Sequence, residues 1–295
     1  MKIRFLMHDV YGPGGGVLTV VRHLAGELAA HHDVEIVSVM RTGDEPVHRM
    51  PDGVVLTTLA DTRPMRFPWL PHNRRRARLS ARPSEVIPRS EPRYRKYNAY
   101  TDRKLVRYLE SLEGGAVIGM QPGVSIAIAK HAPDSVVRVA QDHVPFRLRP
   151  QELHEDMRRH FDRLDQFLTL TSTDAKRYRR FFRHQIPVRR LPNAAPDYHG
   201  PLSDHTTKVV TAAGRLERLK GFDRLVDAWA LVHAKHPDWE LRIFGAGSQA
   251  GPLREQVQRL GLDEVVRLHG YSRNLHAELA GSSIFAMGSR FEAFG

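Results

Sequence analysis

The chain has no cysteine in 295 residues. That excludes disulfide cross-links and thiolate-bound metals, and it suits a reducing compartment. Long hydrophobic runs are missing too, since no apolar stretch approaches the ~20 residues that span a bilayer. The opening MKIRFLMHDV holds only a short apolar stretch interrupted by Arg4, too short and charged too early for a secretion signal. Acid is scarce: 33 Asp and Glu face 45 Lys and Arg, a formal net charge of +12. What is present is ordinary for a globular chain, with 41% hydrophobic and 26% charged residues. The length suffices for two modest domains or one large one.

The basic excess is concentrated. Residues 63–107 carry 14 Lys and Arg against three acids, Glu85, Glu91 and Asp102, together with six prolines. Such composition predicts an irregular, basic, Pro-rich insertion and not a packed element. A face of this kind attracts polyanions: nucleic acid, an anionic membrane surface or a phosphate-rich polymer. A solvated Arg-rich loop with no partner accounts for it equally well. A nucleic-acid-binding protein is disfavoured, because the basic stretch lacks an interleaved aromatic platform and no reading helix or RNA-binding motif is found.

Short β-branched runs alternate with helical periodicity, which predicts α/β architecture with parallel sheets. IRFLM is followed by a glycine loop and by Val17, Val20, Val21, Leu24 and Leu28 at helical spacing. DVEIVSVM, VVLTT, AVIGM, VVRVA and FLTL are further strands. LPNAAPDYHGPLSDHTTK then breaks the rhythm, and KVVTAAG restarts it. Helix, WELRIFGAGS, a helix opened by Pro252, VVRLHG and SIFAM follow. Two Rossmann-like domains are expected, 1–192 and 208–295, joined by a linker over 193–207.

Three loops carry candidate chemistry. YGPGGG lies between the first strand and first helix, where bare backbone N–H groups can approach a phosphate or sugar. FGAGSQAG satisfies G-x-G-x-x-A, but the strand that should end in a ribose-binding acid ends in His269 and Gly270, which disfavours a dinucleotide cofactor. In AAGRLERLKGFDRL, Arg215 and Lys220 stand at the mouth of a strand–loop–helix unit. Two cations there oppose the helix dipole unless an anion arrives, which reads as a diphosphate site. No Asp-x-Asp stands where a divalent ion would bridge a diphosphate, so no metal is expected.

In these stretches the sequence resembles the family 4 retaining glycosyltransferases of the GT-B fold. AGRLERLKGFDRLVDAWALV, WELRIFGAGSQAGPLREQVQRLGL, VVRLHGY and SSIFAMGSRFEAFG resemble that family's donor domain in order and spacing. GPGGG, QDHVPF, LTLTSTDAKRYRRF and LPNAAP resemble its acceptor domain and junction, and only 63–107 lacks obvious counterparts. The resemblance implies two Rossmann-like domains facing a cleft, the second incomplete, because the sugar-binding loop begins at Glu292 and its second acid would fall beyond Gly295.

It also implies roles. Gly15 and Gly16 would lie against the donor phosphate and reacting sugar, and His143 would line the sugar pocket. Arg215 and Lys220 would bind the diphosphate, Tyr271 would lie near the nucleobase, and Glu292, Phe294 and Gly295 would form the sugar-binding loop. His143 and Glu292 are the catalytic candidates. The implied reaction moves a hexosyl unit, with retention, from a UDP- or GDP-linked sugar, with no cofactor besides that donor. The implied acceptor is a carbohydrate or polyol-phosphate chain: an anionic cell-wall polymer or a lipid-linked glycan. DRKLVRYLESLEGG and RVAQDH look faintly like enzymes that decorate teichoic-acid-type polymers. A cytoplasmic location, peripheral at the inner face of an anionic membrane, and no specific nucleic acid partner complete the expectation. A truncated, non-catalytic remnant is the alternative.

Overall fold

The computed structural model describes residues 1–295 except 13–15, 68, 194–198, 273 and 293–295. The chain divides into two compact units, Met1–Pro196 and Asp197–Ala293.

The first unit is built on β1 (Lys2–Asp9), β2 (Asp33–Arg41), β3 (Val54–Asp61), β4 (Ala116–Gly119), β5 (Val137–Asp142), β6 (Gln166–Thr169) and β7 (Val188–Arg190). All pairings are parallel, in the order β3-β2-β1-β4-β5-β6-β7. Six helices accompany them among the described residues: α1 (Gly16–Ala29), α2 (Pro71–Ser80), α3 (Ala99–Glu110), α4 (Pro122–His131), α5 (Gln151–His160) and α6 (Ser172–Phe181). Both faces of the sheet are covered, so its strands are continuous apolar runs. On β1, Phe5 and Met7 pack with Leu18, Val21 and Ala25 of α1. Leu6 points the other way, into a core with Leu105 and Leu109 of α3 and Ile128 of α4. Every residue of α4 from 122 to 129 is buried, which is why that helix is apolar all round.

Strand order reverses between β1 and β4. In open parallel sheets the crevice outside the carboxyl ends of the strands at such a reversal is where ligands bind.

The basic stretch corrects the expectation of an unpacked insertion. It contains α2, a 3-10 turn at Tyr94–Lys96 and the start of α3. Ile87, Tyr97 and Leu105 are buried in the core. Two of its three acids are buried and organise it. Asp102 accepts hydrogen bonds from Ser84 Oγ (2.7 Å) and from the backbone N–H of Glu85 (2.7 Å) and Val86 (3.2 Å). Glu91 Oε2 accepts from Gly123 N–H at the start of α4 (2.9 Å). Composition counts these residues as loop-like, but buried carboxylates satisfying backbone donors supply the order that apolar periodicity does not.

The second unit has β8 (Val209–Ala213), β9 (Glu240–Phe244), β10 (Val266–Gly270) and β11 (Ile284–Phe285), with α7 (Phe222–His233), α8 (Ala250–Arg259) and α9 (Leu275–Ala280). Its parallel sheet runs β10-β9-β8-β11, so the reversal falls between β8 and β11. Ala212, Leu241 and Ile243 of the sheet pack with Phe222, Val226 and Trp229 of α7 and Leu253 and Val257 of α8. Helix α8 starts at Ala250, ahead of Pro252, which sits in its first turn where a missing N–H costs nothing. Part of the Pro-rich junction is anchored to this unit. Ser203 Oγ donates to Ser282 O (2.5 Å) and Thr207 Oγ1 to Gly281 O (3.1 Å).

Candidate functional site

At the reversal of the second sheet, β8 opens into a loop that runs through Gly214 and Arg215 to a 3-10 turn, Arg218–Lys220. Gly221 then caps α7 in the left-handed region at φ 66°. A Cβ there would stand 2.0 Å from Gly288 O, so only glycine admits this approach. The approach brings the segment after β11 onto the 3-10 turn. Arg290 N–H donates to Leu219 O (2.9 Å), and its guanidinium holds both Asp223 oxygens (2.6 Å each).

Glu292 is thereby delivered to Lys220: Nζ donates to Oε1 at 2.6 Å, and Ser289 Oγ donates to the same oxygen at 2.7 Å. Burial pushes the Glu292 carboxyl up, but the bonds from Lys220 and Ser289 outweigh it and hold it below its ordinary value. It is a carboxylate at neutral pH, free to accept from hydroxyl groups through its other oxygen. Two residues named from the sequence are thus one ion pair.

Arg215 lies two residues beyond β8 and is exposed. It lines a pocket of about 410 Å³ with Gly214, Phe244, Gly245, Tyr271 and Leu275. Among the described residues its guanidinium makes no salt bridge, in contrast to Lys220. Tyr271, 78% exposed, forms another wall of the pocket. An apolar wall, an open tyrosine ring and an unpaired guanidinium suit a planar base next to an anionic group.

The G-x-G pattern of the β9 loop has a different cause. A Cβ on Gly245 would lie 1.8 Å from Gly214 O, and one on Gly247 would lie 2.4 Å from Leu216 O. Leu216 N–H donates to Ala246 O (2.9 Å) and Gln249 N–H to Leu216 O (2.8 Å). These glycines let two loops touch backbone to backbone, shaping the pocket that holds Arg215.

In the first unit, Gly16 opens α1 with no atom within 4 Å of where its Cβ would be. Gly15 lies outside the described residues, as do Phe294 and Gly295. His143 follows β5 and is buried, its Nε2 without a hydrogen-bond partner among the described residues. Burial lowers its pKa to about 4 against the opposing pull of Asp142, so the ring is neutral at pH 7. Asp142 itself is fixed by Arg149 Nε (3.0 Å), Tyr178 Oη (2.9 Å) and Val144 N–H (3.0 Å). That network sets where His143 stands. Nothing in the residue pattern marked it, because its members come from β5, α6 and the loop between β5 and α5.

His8, at the carboxyl end of β1, was also unmarked. It is buried, its Nδ1 has no partner among the described residues, and burial followed by the charges of Arg93 and Lys96 lowers its pKa to about 4. Its place just before the glycine loop is the one signal that could have singled it out.

The family "Glycosyl transferases group 1" matches residues 199–295. An exopolysaccharide phosphotransferase of Streptomyces coelicolor is 30% identical over 98% of this chain and 31% of its own length. Matches cover 22% to 36% of the lengths of the curated relatives. TarM of S. aureus, solved with UDP, superimposes with a TM-score of 0.71 at 14% identity, over 100% of this chain and 82% of that one. HepE of Anabaena, also solved with UDP, gives 0.67 at 15% identity, over 100% and 76%. The chain has the GT-B fold, and its residues 199–295 match the group 1 glycosyltransferases.

Proposed function

We propose that the chain transfers a hexosyl unit, with retention, from a nucleoside-diphosphate sugar to an anionic acceptor, either a polymer of the cell wall or a lipid-linked glycan. The observation that carries this reading is the Lys220–Glu292 pair beside the Arg215 pocket, at the reversal of the second sheet. Departure of the nucleotide leaves negative charge on its diphosphate, and fixed cations aimed at that charge lower the barrier. Arg215 and Lys220 supply the cations, and the Glu292 carboxylate accepts hydroxyls of the sugar. Tyr271 flanks the base. UDP in TarM and HepE favours a uridine nucleotide. In this reading Phe294 and Gly295 are further donor-loop candidates of the second domain, and Gly15 and neutral His143 are the candidates that the first domain offers.

The exopolysaccharide phosphotransferase relative, similar along nearly the whole chain, favours a polymeric acceptor. The reading places the protein in the cytoplasm, at the inner face of the membrane, where anionic lipid meets a basic surface. The domains in this reading are 1–192 for the acceptor and 208–295 for the donor.

Calorimetry with UDP tests the donor site. Arg215→Gln and Lys220→Met are each expected to weaken UDP about 10- to 100-fold, the worth of one charge-assisted bond to phosphate. Glu292→Gln is expected to weaken a UDP-sugar relative to UDP. Unchanged UDP affinity in the Arg215 and Lys220 double variant defeats the proposal. The same relative favours a second reading, in which the chain serves a phosphotransfer reaction. Product mass separates the two: glycosyl transfer adds a sugar alone, phosphotransfer adds a sugar with phosphate.

A further inference from the structure

In the first unit, an aromatic pair and an arginine stripe share one face. Phe67 and Trp69 are 41% and 63% exposed, yet their rings pack edge to face with centroids 5.4 Å apart. The first turn of α2 holds them in place. Asn73 Nδ2 donates to Phe67 O (2.8 Å), and Arg74 Nε donates to Trp69 O (2.9 Å). Two large rings left this exposed lie outside the core clusters and require another explanation.

Helix α2 gives one. Arg76 is turned inward, its Nη2 donating to Arg63 O (2.6 Å) and its guanidinium 5.6 Å from the Tyr100 ring centroid. Arg74, Arg75 and Arg78, at helical spacing, are exposed along the outer side. Arg66, also exposed, lies over the Phe67 ring at 5.3 Å. The sequence has no Asp or Glu between Asp61 and Glu85, so no acid from this segment offsets the face.

We infer that this face docks on an anionic lipid bilayer, with the Phe67–Trp69 pair wedged among the headgroups and Arg66, Arg74, Arg75 and Arg78 on the lipid phosphates. Aromatic rings at the headgroup level beside basic side chains are the chemistry of that interface. Single-stranded nucleic acid is a poorer fit, because stacking needs open ring faces. Here Phe67 lies under Arg66 and against Trp69. The inference sharpens the membrane contact of the proposed function and uses none of its donor residues.

The test is co-sedimentation of the full chain with vesicles of phosphatidylcholine, with or without phosphatidylglycerol, read beside Trp fluorescence. Binding is expected only with phosphatidylglycerol, accompanied by a blue shift from Trp69. Arg74→Gln, Arg75→Gln and Arg78→Gln together are expected to lower vesicle affinity about 100-fold, at roughly fivefold per arginine. Phe67→Ala with Trp69→Ala is expected to lower it at least about tenfold. Trp69→Phe is expected to keep the binding and lose the shift. None of these side chains lines the Arg215 pocket, so UDP affinity stays at its wild-type value in every variant.

Several outcomes overturn the inference: no binding to either vesicle, equal binding to both, or wild-type affinity in the triple arginine variant. Tighter binding of the same face to DNA than to phosphatidylglycerol also overturns it. Loss of UDP binding with vesicle binding intact counts against the donor site alone.

Discussion

Lys220 shows how one residue changes meaning between sequence and structure. Its place before Gly221 marks it as an anion ligand, but in the folded chain its ammonium is held by Glu292. The pair keeps a carboxylate ionised in a partly buried position and holds the ammonium in place. Gly221 makes that possible, and its substitution is a sharp test. Gly221→Ala forces a Cβ onto Gly288 O in the left-handed region and is expected to cost about 3 kcal/mol or more. Gly261→Ala, also at φ 66° but with no atom within 4 Å of its Cβ, is expected to cost only about 1 kcal/mol. Urea melts of the two variants measure the difference, and equal losses would mean that the Gly221–Gly288 contact carries no weight.

Among the elements, the strands and long helices were legible because parallel strands and their covering helices leave apolar patterns of period two or 3.6. Where that signal was absent, elements went unseen. Strand β7 is three residues, two of them exposed arginines, and only its pairing with β6 defines it. Helix α2 is mostly polar and basic and packs on α3, and Asp102 orders the residues that follow it. Asp102→Ala leaves Ser84 Oγ and the Glu85 and Val86 N–H groups without their acceptor, at an expected cost of about 3 kcal/mol. The stretch 63–107 offers trypsin 14 basic residues. It should resist cleavage in the wild type and be cut there first in Asp102→Ala. Cleavage of both at the same rate would place the order of this segment elsewhere.

For the molecule as a whole, the buried histidines set a limit on acid stability. His8 and His143 have pKa values near 4 in the folded state, against an ordinary 6.5. Between those values the unfolded chain binds protons that the folded chain refuses, so stability falls as pH drops from about 6.5 toward 4. Each ring contributes at most about 3 kcal/mol to that loss. His8→Asn with His143→Gln is expected to flatten the dependence, measured by urea midpoints between pH 7.5 and 5. A slope identical to wild type would show that neither ring is buried neutral.

Much was decided by sequence alone. Alternating runs established two parallel α/β units. Short-range spacing put Arg215 and Lys220 in the loop after a strand, and the family resemblance added Glu292 as a candidate. Other features required the tertiary structure: the Lys220–Glu292 bond, the Gly245 loop packed on Gly214, the Asp142–Arg149–Tyr178 network and the order of the basic segment. Each joins residues from separate elements, and the backbone approach or buried acceptor that makes it favourable exists only after the chain has closed on itself.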